Sequence, residues 1–381
     1  MRSSILRGAL VAATALGLAV TAGGSAEAAP RPVRVVDLGS LGGAETFARE
    51  INQRGQVAGY GETADGATHA FVWNRGRLRD LGTLGGRDSF ANDISERGDV
   101  TGVSETADGQ RHAFLWRGGE MTDLGTLGGA TSVGFYVDSH GQVVGQTELA
   151  DGSFDFFVWR AGRMRLLGSL GGPNGLFAQA MSDRGQVVGL GSDEANDTRG
   201  FSWFRGRLTE LAPLAGDLHS QAEAVNERGQ VAGISAAPDG SYQPVVWDRG
   251  RIRALGTLGA AFGQPYAISD RGTVVGSSGT ADGRNHAFIW RRGAMTDLEL
   301  GTTDDERTAT DVNNRDAVLV ESTSGAFDPT REFLWRNGTA TELTGLVPGS
   351  QVSAEQLNDR GEIAGWSGAA DGTIHAVLWR S

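Results

Sequence analysis

The chain has no cysteine, which excludes disulfides, thiolate metal sites and cysteine nucleophiles. Lysine is missing as well: all 34 basic residues are Arg, a compositional bias that carries no mechanism by itself. Beyond the N-terminus no stretch approaches the ~20 consecutive apolar residues of a membrane span. The sequence also lacks a Gly-x-Ser-x-Gly elbow, a His-Glu-x-x-His pair, a phosphate loop and a dinucleotide fingerprint set between a strand and a helix, so no linear catalytic motif is present. A net charge of −12 leaves little cationic surface for nucleic acid or an anionic membrane, and neither is expected as a partner.

What is present begins with a leader. Arg2 and Arg7, an apolar run from Ala9 to about Val20 and the small-x-small triplet Ala26-Glu27-Ala28 predict a secretory signal peptide over 1–28. The expected product is secreted, extracellular or loosely associated with a cell wall. A single domain is expected over 29–381.

That domain is repetitive. Trp73, Trp116, Trp159, Trp203, Trp247, Trp290, Trp335 and Trp379 follow one another at 43, 43, 44, 44, 43, 45 and 44 residues, a period closest to propeller blades. In the second copy, residues 91–95, 99–105, 112–116 and 121–124 read as strands a, b, c and d, separated by turns that each carry Gly. Strand c has apolar residues on both faces, as a sheet stacked between two others requires. The sequence therefore predicts an all-β, eight-bladed β-propeller of four-stranded antiparallel blades. Residues 33–38 form a strand d with nothing before it, and 375–379 form a strand c with nothing after it. Pairing the two closes the ring and leaves no exposed sheet edge.

The strings His69-Ala70-Phe71, His112-Ala113-Phe114 and His286-Ala287-Phe288, with the recurring Asp-Leu-Gly-Thr-Leu-Gly-Gly and Gly-Gln-Val-Val-Gly elements, resemble the HAF family of extracellular repeat proteins over the whole mature chain. The resemblance implies an extracellular repeat protein without an assigned activity, so no catalytic residue comes with it. Four copies depart at the His-Ala-Phe string: Asp155-Phe156-Phe157, Arg199-Gly200-Phe201, Gln243-Pro244-Val245 and Arg331-Glu332-Phe333.

The recurring residues read first as structure. His69, His112, His286 and His375 would occupy separate interblade seams, too far apart to share a metal ion, and serve as imidazoles that satisfy backbone groups. Asp65, Asp108, Asp151, Asp239, Asp282 and Asp371 precede Gly in tight turns and are explained by turn chemistry. One Asp per blade falls short of the six to eight oxygens of a calcium site; no cofactor is expected, with calcium as the alternative. The strand order places the a–b and c–d turns, rich in Arg, on one face of a disc and the acidic b–c turns on the other.

Function is sought where the repeat breaks. The fourth copy carries Asp193, Glu194 and Asp197 in place of its Asp-Gly turn. The seventh places Asp304, Asp305 and Glu306 before its strand a, the third offers Phe154, and the eighth has Trp366 where other copies are small or polar. Asp193, Glu194, Asp197, Asp304, Asp305, Glu306 and Phe154 form the expected ligand face. The expected function is a monomeric binding or interaction scaffold for an extracellular polysaccharide, cell-wall polymer or protein partner. The alternative is a polysaccharide hydrolase or lyase with acidic residues at the channel mouth, where pairs such as Asp193 or Glu194 with Asp304 or Asp305 would act.

Overall fold

A computed structural model describes residues 33–302, 306–325 and 330–380; the leader expected over 1–28 lies outside them. Among the described residues there are 32 strands, and no helix is long and apolar enough to cross a membrane. The described residues from 33 to 380 are all-β and adopt a propeller fold of four-stranded antiparallel sets, some joined into larger sheets through single parallel pairs. In the first repeat, strands a to d are Gly42–Ile51, Val57–Thr63, Thr68–Asn74 and Arg77–Asp80. The same order recurs over 85–123, 128–166, 177–211, 219–254, 259–297 and 306–342. The last repeat contributes Val352–Leu357, Ile363–Gly368 and Ile374–Arg380. Arg34–Asp37 then lies antiparallel on Ile374–Arg380, with Val35 opposite Trp379.

Local sequence sets each hairpin. At the c–d turns two successive residues take positive φ, as in Arg75 (50°) with Gly76 (83°) and Asn337 (48°) with Gly338 (85°). That is the two-residue turn whose twist matches flanking strands. At the b–c turns Thr63 N–H donates to Ala67 O, and Asp65 accepts a hydrogen bond from the Thr63 hydroxyl. This hydroxyl holds the exposed Asp65 carboxyl below its usual range. Its counterparts Asp108, Asp151, Asp239, Asp282 and Asp371 are held low in the same way by a Ser or Thr hydroxyl. The turn Asp residues are thus engaged locally.

Strands a and b come unusually close. The final Gly of Gly-Gln-Val-Val-Gly in the third copy is Gly145, where an added Cβ would stand 1.9 Å from Val133 O. Beside this contact strand a bulges in every repeat, with register shifts at Ala48/Glu50, Ala91/Asp93 and Gly134/Tyr136 among others. The core lies in the seams between neighbouring sheets. Phe71, Phe114 and Phe157 are fully buried, and Trp73 packs with Val57, Ala48 and, from the last repeat, Leu378.

The recurring His is structural, but its partner is a carboxylate and not the backbone groups that were expected. His69 Nδ1 lies 2.8 Å from Asp80 Oδ2, His112 2.9 Å from Asp123, His286 2.6 Å from Asp297 and His375 2.8 Å from Asp37. Each Asp is the first residue of an Asp-Leu element, so the two signatures of the repeat are halves of one contact. Where His is replaced by Arg, Asp becomes Glu: Arg331 pairs with Glu342 at 2.6 Å and Arg199 with Glu210 at 3.3 Å. Copies three and five lose both halves, with Asp155 and Leu166 in one and Gln243 and Ala254 in the other.

Candidate functional site: an acidic cavity at the inner strands

The bulge in strand a and the a–b turn that follows deliver side chains from all eight repeats to one cavity of about 290 Å³. Its lining holds eight carboxylates: Glu50, Asp93, Glu96, Asp183, Glu227, Asp270, Asp311 and Asp359. Gln53, Gln356, Asn226, Asn313 and Asn314 add neutral polar groups, and no Arg lines it. This corrects the expected partition of charge. The a–b turns do carry Arg, but the residue before each Arg lines the cavity and the Arg does not; Arg184, 71% exposed, reaches Glu227 at 3.8 Å.

Two tiers make up the lining. The turn tier is a relay in which one repeat donates to the next. Gln53 N–H donates to Glu96 Oε1 (2.8 Å), Ser139 Oγ to Asp183 (2.9 Å), and Asp183 N–H to Glu227 (2.6 Å). Glu227 N–H then donates to Asp270 (2.9 Å), Asp270 N–H to Asn314 Oδ1 (2.7 Å) and Asn314 N–H to Asp359 (2.7 Å). Asp359 N–H returns to Gln53 Oε1 of the first repeat (2.7 Å). A second set runs beneath it, from Asn52 Nδ2 to Ser95 O, Asn226 to Ser269 O, Asn313 to Asn358 O and Asn358 to Asn52 O.

The bulge tier is more deeply buried. Val137 N–H donates to Asp93 Oδ2 (2.6 Å) and Leu357 N–H to Asp311 Oδ2 (2.8 Å), so each carboxylate bridges to the following repeat. Burial nevertheless pushes Asp93 up to about 7 and Asp311 up to about 6. Glu50 is raised well above the ordinary carboxylate range, first by burial and then by Asp93 and Asp311. Tyr136, whose hydroxyl donates to Gln179 O, is itself pushed up to about 12 by burial and by Asp93 and Glu50. Glu50 is thus raised by both neighbours, while Asp183 adds to the rise at Asp93 and Asp359 to that at Asp311.

The described members of the expected ligand face are engaged locally or stand at the surface. Asp193 caps its own turn, accepting from Ala195 N–H and Asp197 N–H, and both Asp193 and Asp197 are ion-paired to Arg199 at 3.0 and 3.1 Å. Glu194 is solvent-exposed, Glu306 is an exposed first residue of its strand, and Phe154 is 56% exposed at the start of its strand c. Asp304 and Asp305 lie outside the described residues. Among the described residues no three His, Cys, Asp or Glu side chains gather in a way that could hold a metal ion.

No protein-family model matches the sequence, and no curated protein matches it. Solved structures do share its fold. A prolyl endopeptidase studied for inter-domain dynamics superimposes with a TM-score of 0.54 at 11% identity, over 88% of this chain and 54% of that one. Dipeptidyl peptidase 4 of Porphyromonas gingivalis gives 0.51 at 11% identity, over 84% and 54%. The β-propeller domain of the Trilobed protease from Pyrococcus furiosus is matched over 82% of this chain and 98% of that one, with a TM-score of 0.48 at 12% identity. The chain spans about half the length of the two peptidases, and the likeness is one of fold.

Proposed function

We propose that the protein is a secreted eight-bladed propeller, its ring closed by Arg34–Asp37 beside Ile374–Arg380, and that it binds a cationic segment of a protein partner at its acidic channel mouth. One observation carries the reading: a single cavity receives eight carboxylates from seven of the eight repeats and has no basic lining residue. Focused negative potential of this kind attracts Lys- and Arg-bearing segments and repels polyanionic wall polymer. The relay from Asp359 back to Gln53 supports the closed ring.

The hydrolase reading shares the site but fits it less well. Seven of the carboxylates, all but Glu50, accept hydrogen bonds from a neighbouring repeat. Glu50 is met by the Gln356 side chain. Groups held in this way brace the ring. The raised Glu50, Asp93 and Asp311 are the observation that keeps acid catalysis as the second reading.

The test is fluorescence anisotropy of a labelled hexa-arginine peptide with the full chain. Binding should weaken steeply between about 0.05 and about 0.5 M salt. It should weaken again in the Asp270→Asn, Asp359→Asn double variant, whose amides keep an acceptor oxygen for the relay. Salt-insensitive binding, or none, would end the proposal. Release of reducing ends from a polysaccharide, abolished by Glu50→Gln, would replace it with the hydrolase reading.

A further inference from the structure

The seam between the seventh and eighth repeats holds a group that the fold does not explain. Strand c of the seventh repeat, Arg331–Arg336, carries Glu332 where the His-Ala copies place Ala70, Ala113, Ala287 and Ala376, all fully buried. Glu332 is 2% exposed, so a carboxyl occupies a slot built for a methyl group. The backbone N–H of Ala354 reaches the carboxyl, yet Oε2 is buried without a hydrogen-bond partner. A buried polar atom left in that state costs free energy that the repeat's own alanine would avoid.

Glu332 lines a cavity of about 240 Å³ together with Glu321, Thr330, Gln351, Ser353 and Trp366. None of these residues belongs to the acidic channel mouth. Glu332, Glu321 and Trp366 come from three different strands and converge on one space. The carboxylates that act on Glu332 are Glu321 and Glu355; Glu355 has Arg49 at 3.4 Å. Among the described residues no basic group pairs with Glu321 or Glu332.

From this arrangement we infer that the seam binds a small organic cation, its ammonium group lodged between Glu321 and Glu332 and against the Trp366 ring. The ammonium supplies the donor that Oε2 lacks, and the indole face adds a cation–π contact. Thr330, Gln351 and Ser353 offer hydroxyl and amide groups for the rest of the ligand. The cavity lies below the ~300–1,000 Å³ of drug-sized sites, which sets the ligand class as a simple amine or amino sugar.

Proton linkage gives the site a signature. Burial, with Glu321 and Glu355 adding to it, holds the Glu332 carboxyl up at about 9, and burial followed by Glu355 raises Glu321. A cation must displace the proton, so its affinity should rise up to roughly tenfold per pH unit between pH 7 and 9. The experiment is calorimetric titration of the full chain with ethanolamine and with propylamine, primary amines that keep their charge at pH 8.5, and glucose as a neutral control, at pH 7 and 8.5. At least one amine should bind with proton release, more tightly at pH 8.5, and binding should vanish in both Glu332→Ala and Glu321→Gln. Glu332→Ala restores the residue of the other repeats and should raise the melting temperature. Absence of binding by either amine, equal binding of glucose, or unchanged amine binding in both variants would overturn the inference. Each of these outcomes is independent of hexa-arginine binding at the channel mouth.

Discussion

Asp93→Asn should stabilise the protein at alkaline pH and leave it little changed in acid. Asp93 titrates at about 7 in the folded chain, against an ordinary 3.8. Between those values the folded state keeps a proton that the unfolded state has released. Stability therefore falls as pH rises across that window and levels off above it. The full difference, about 3 pKa units, corresponds to about 4 kcal/mol. Asparagine is never ionised and keeps one oxygen for Val137 N–H, so it removes the penalty while preserving the bridge to the third repeat. The loss of a second acceptor, which also serves Ile94 N–H, costs about 1 kcal/mol. A net gain of about 3 kcal/mol at pH 8 and a loss of about 1 kcal/mol at pH 4 is expected from urea unfolding of the full chain. The slope of stability against pH should be shallower in the variant; Asp311 and Glu50, raised in the same direction, supply what remains. If the variant is less stable at both pH values with the slope unchanged, the carboxyl is not held protonated and the account of the channel mouth fails.

Removal of residues 33–38 strips the strand opposite Ile374–Arg380 together with Leu38, which is 4% exposed and donates to Ala376 O. The expected loss is about 5 kcal/mol from apolar burial and hydrogen bonds, with self-association through the freed edge; urea midpoints and sedimentation velocity measure both. His112→Arg combined with Asp123→Glu should lie within about 0.5 kcal/mol of the parent, because the fourth and seventh repeats already use that pair. His112→Glu alone, facing Asp123, should cost about 1 kcal/mol by the same denaturation measurement. Gly145→Ala forces strand a from its carbonyl contact and should cost roughly 1–3 kcal/mol.

The repeat period, the four strands per copy and the turn residues were legible because each rests on contacts within a few residues. The acidic mouth was not. Glu96, Asp183, Glu227, Asp270 and Asp359 each stand before Arg-Gly or an equivalent turn, and in one dimension such a residue reads as a solvated turn position. Only the convergence of strand a and the a–b turn of successive repeats on one cavity brings together residues spaced 43 to 46 apart. A signal was nonetheless present, since an acid recurs at that place in five of the eight copies. The His–Asp contact could also have been found, because Asp is missing from every copy that lacks His. The loop of Asp193 and Asp197 misled for the opposite reason: its own neighbour Arg199 neutralises the acids that made it conspicuous.

The unit of sequence and the unit of structure are out of phase. The chain opens one strand early: Arg34–Asp37, of the d kind, precedes the first a-b-c-d set and pairs with the last strand of the eighth, Ile374–Arg380. In the closed ring proposed above, gain or loss of one whole period would change the number of blades by one and leave the pairing of Arg34–Asp37 with Ile374–Arg380 untouched. Growth of such a ring demands no new closing device, and the limit on its size is set by how far each seam tolerates a change in the angle between neighbouring sheets.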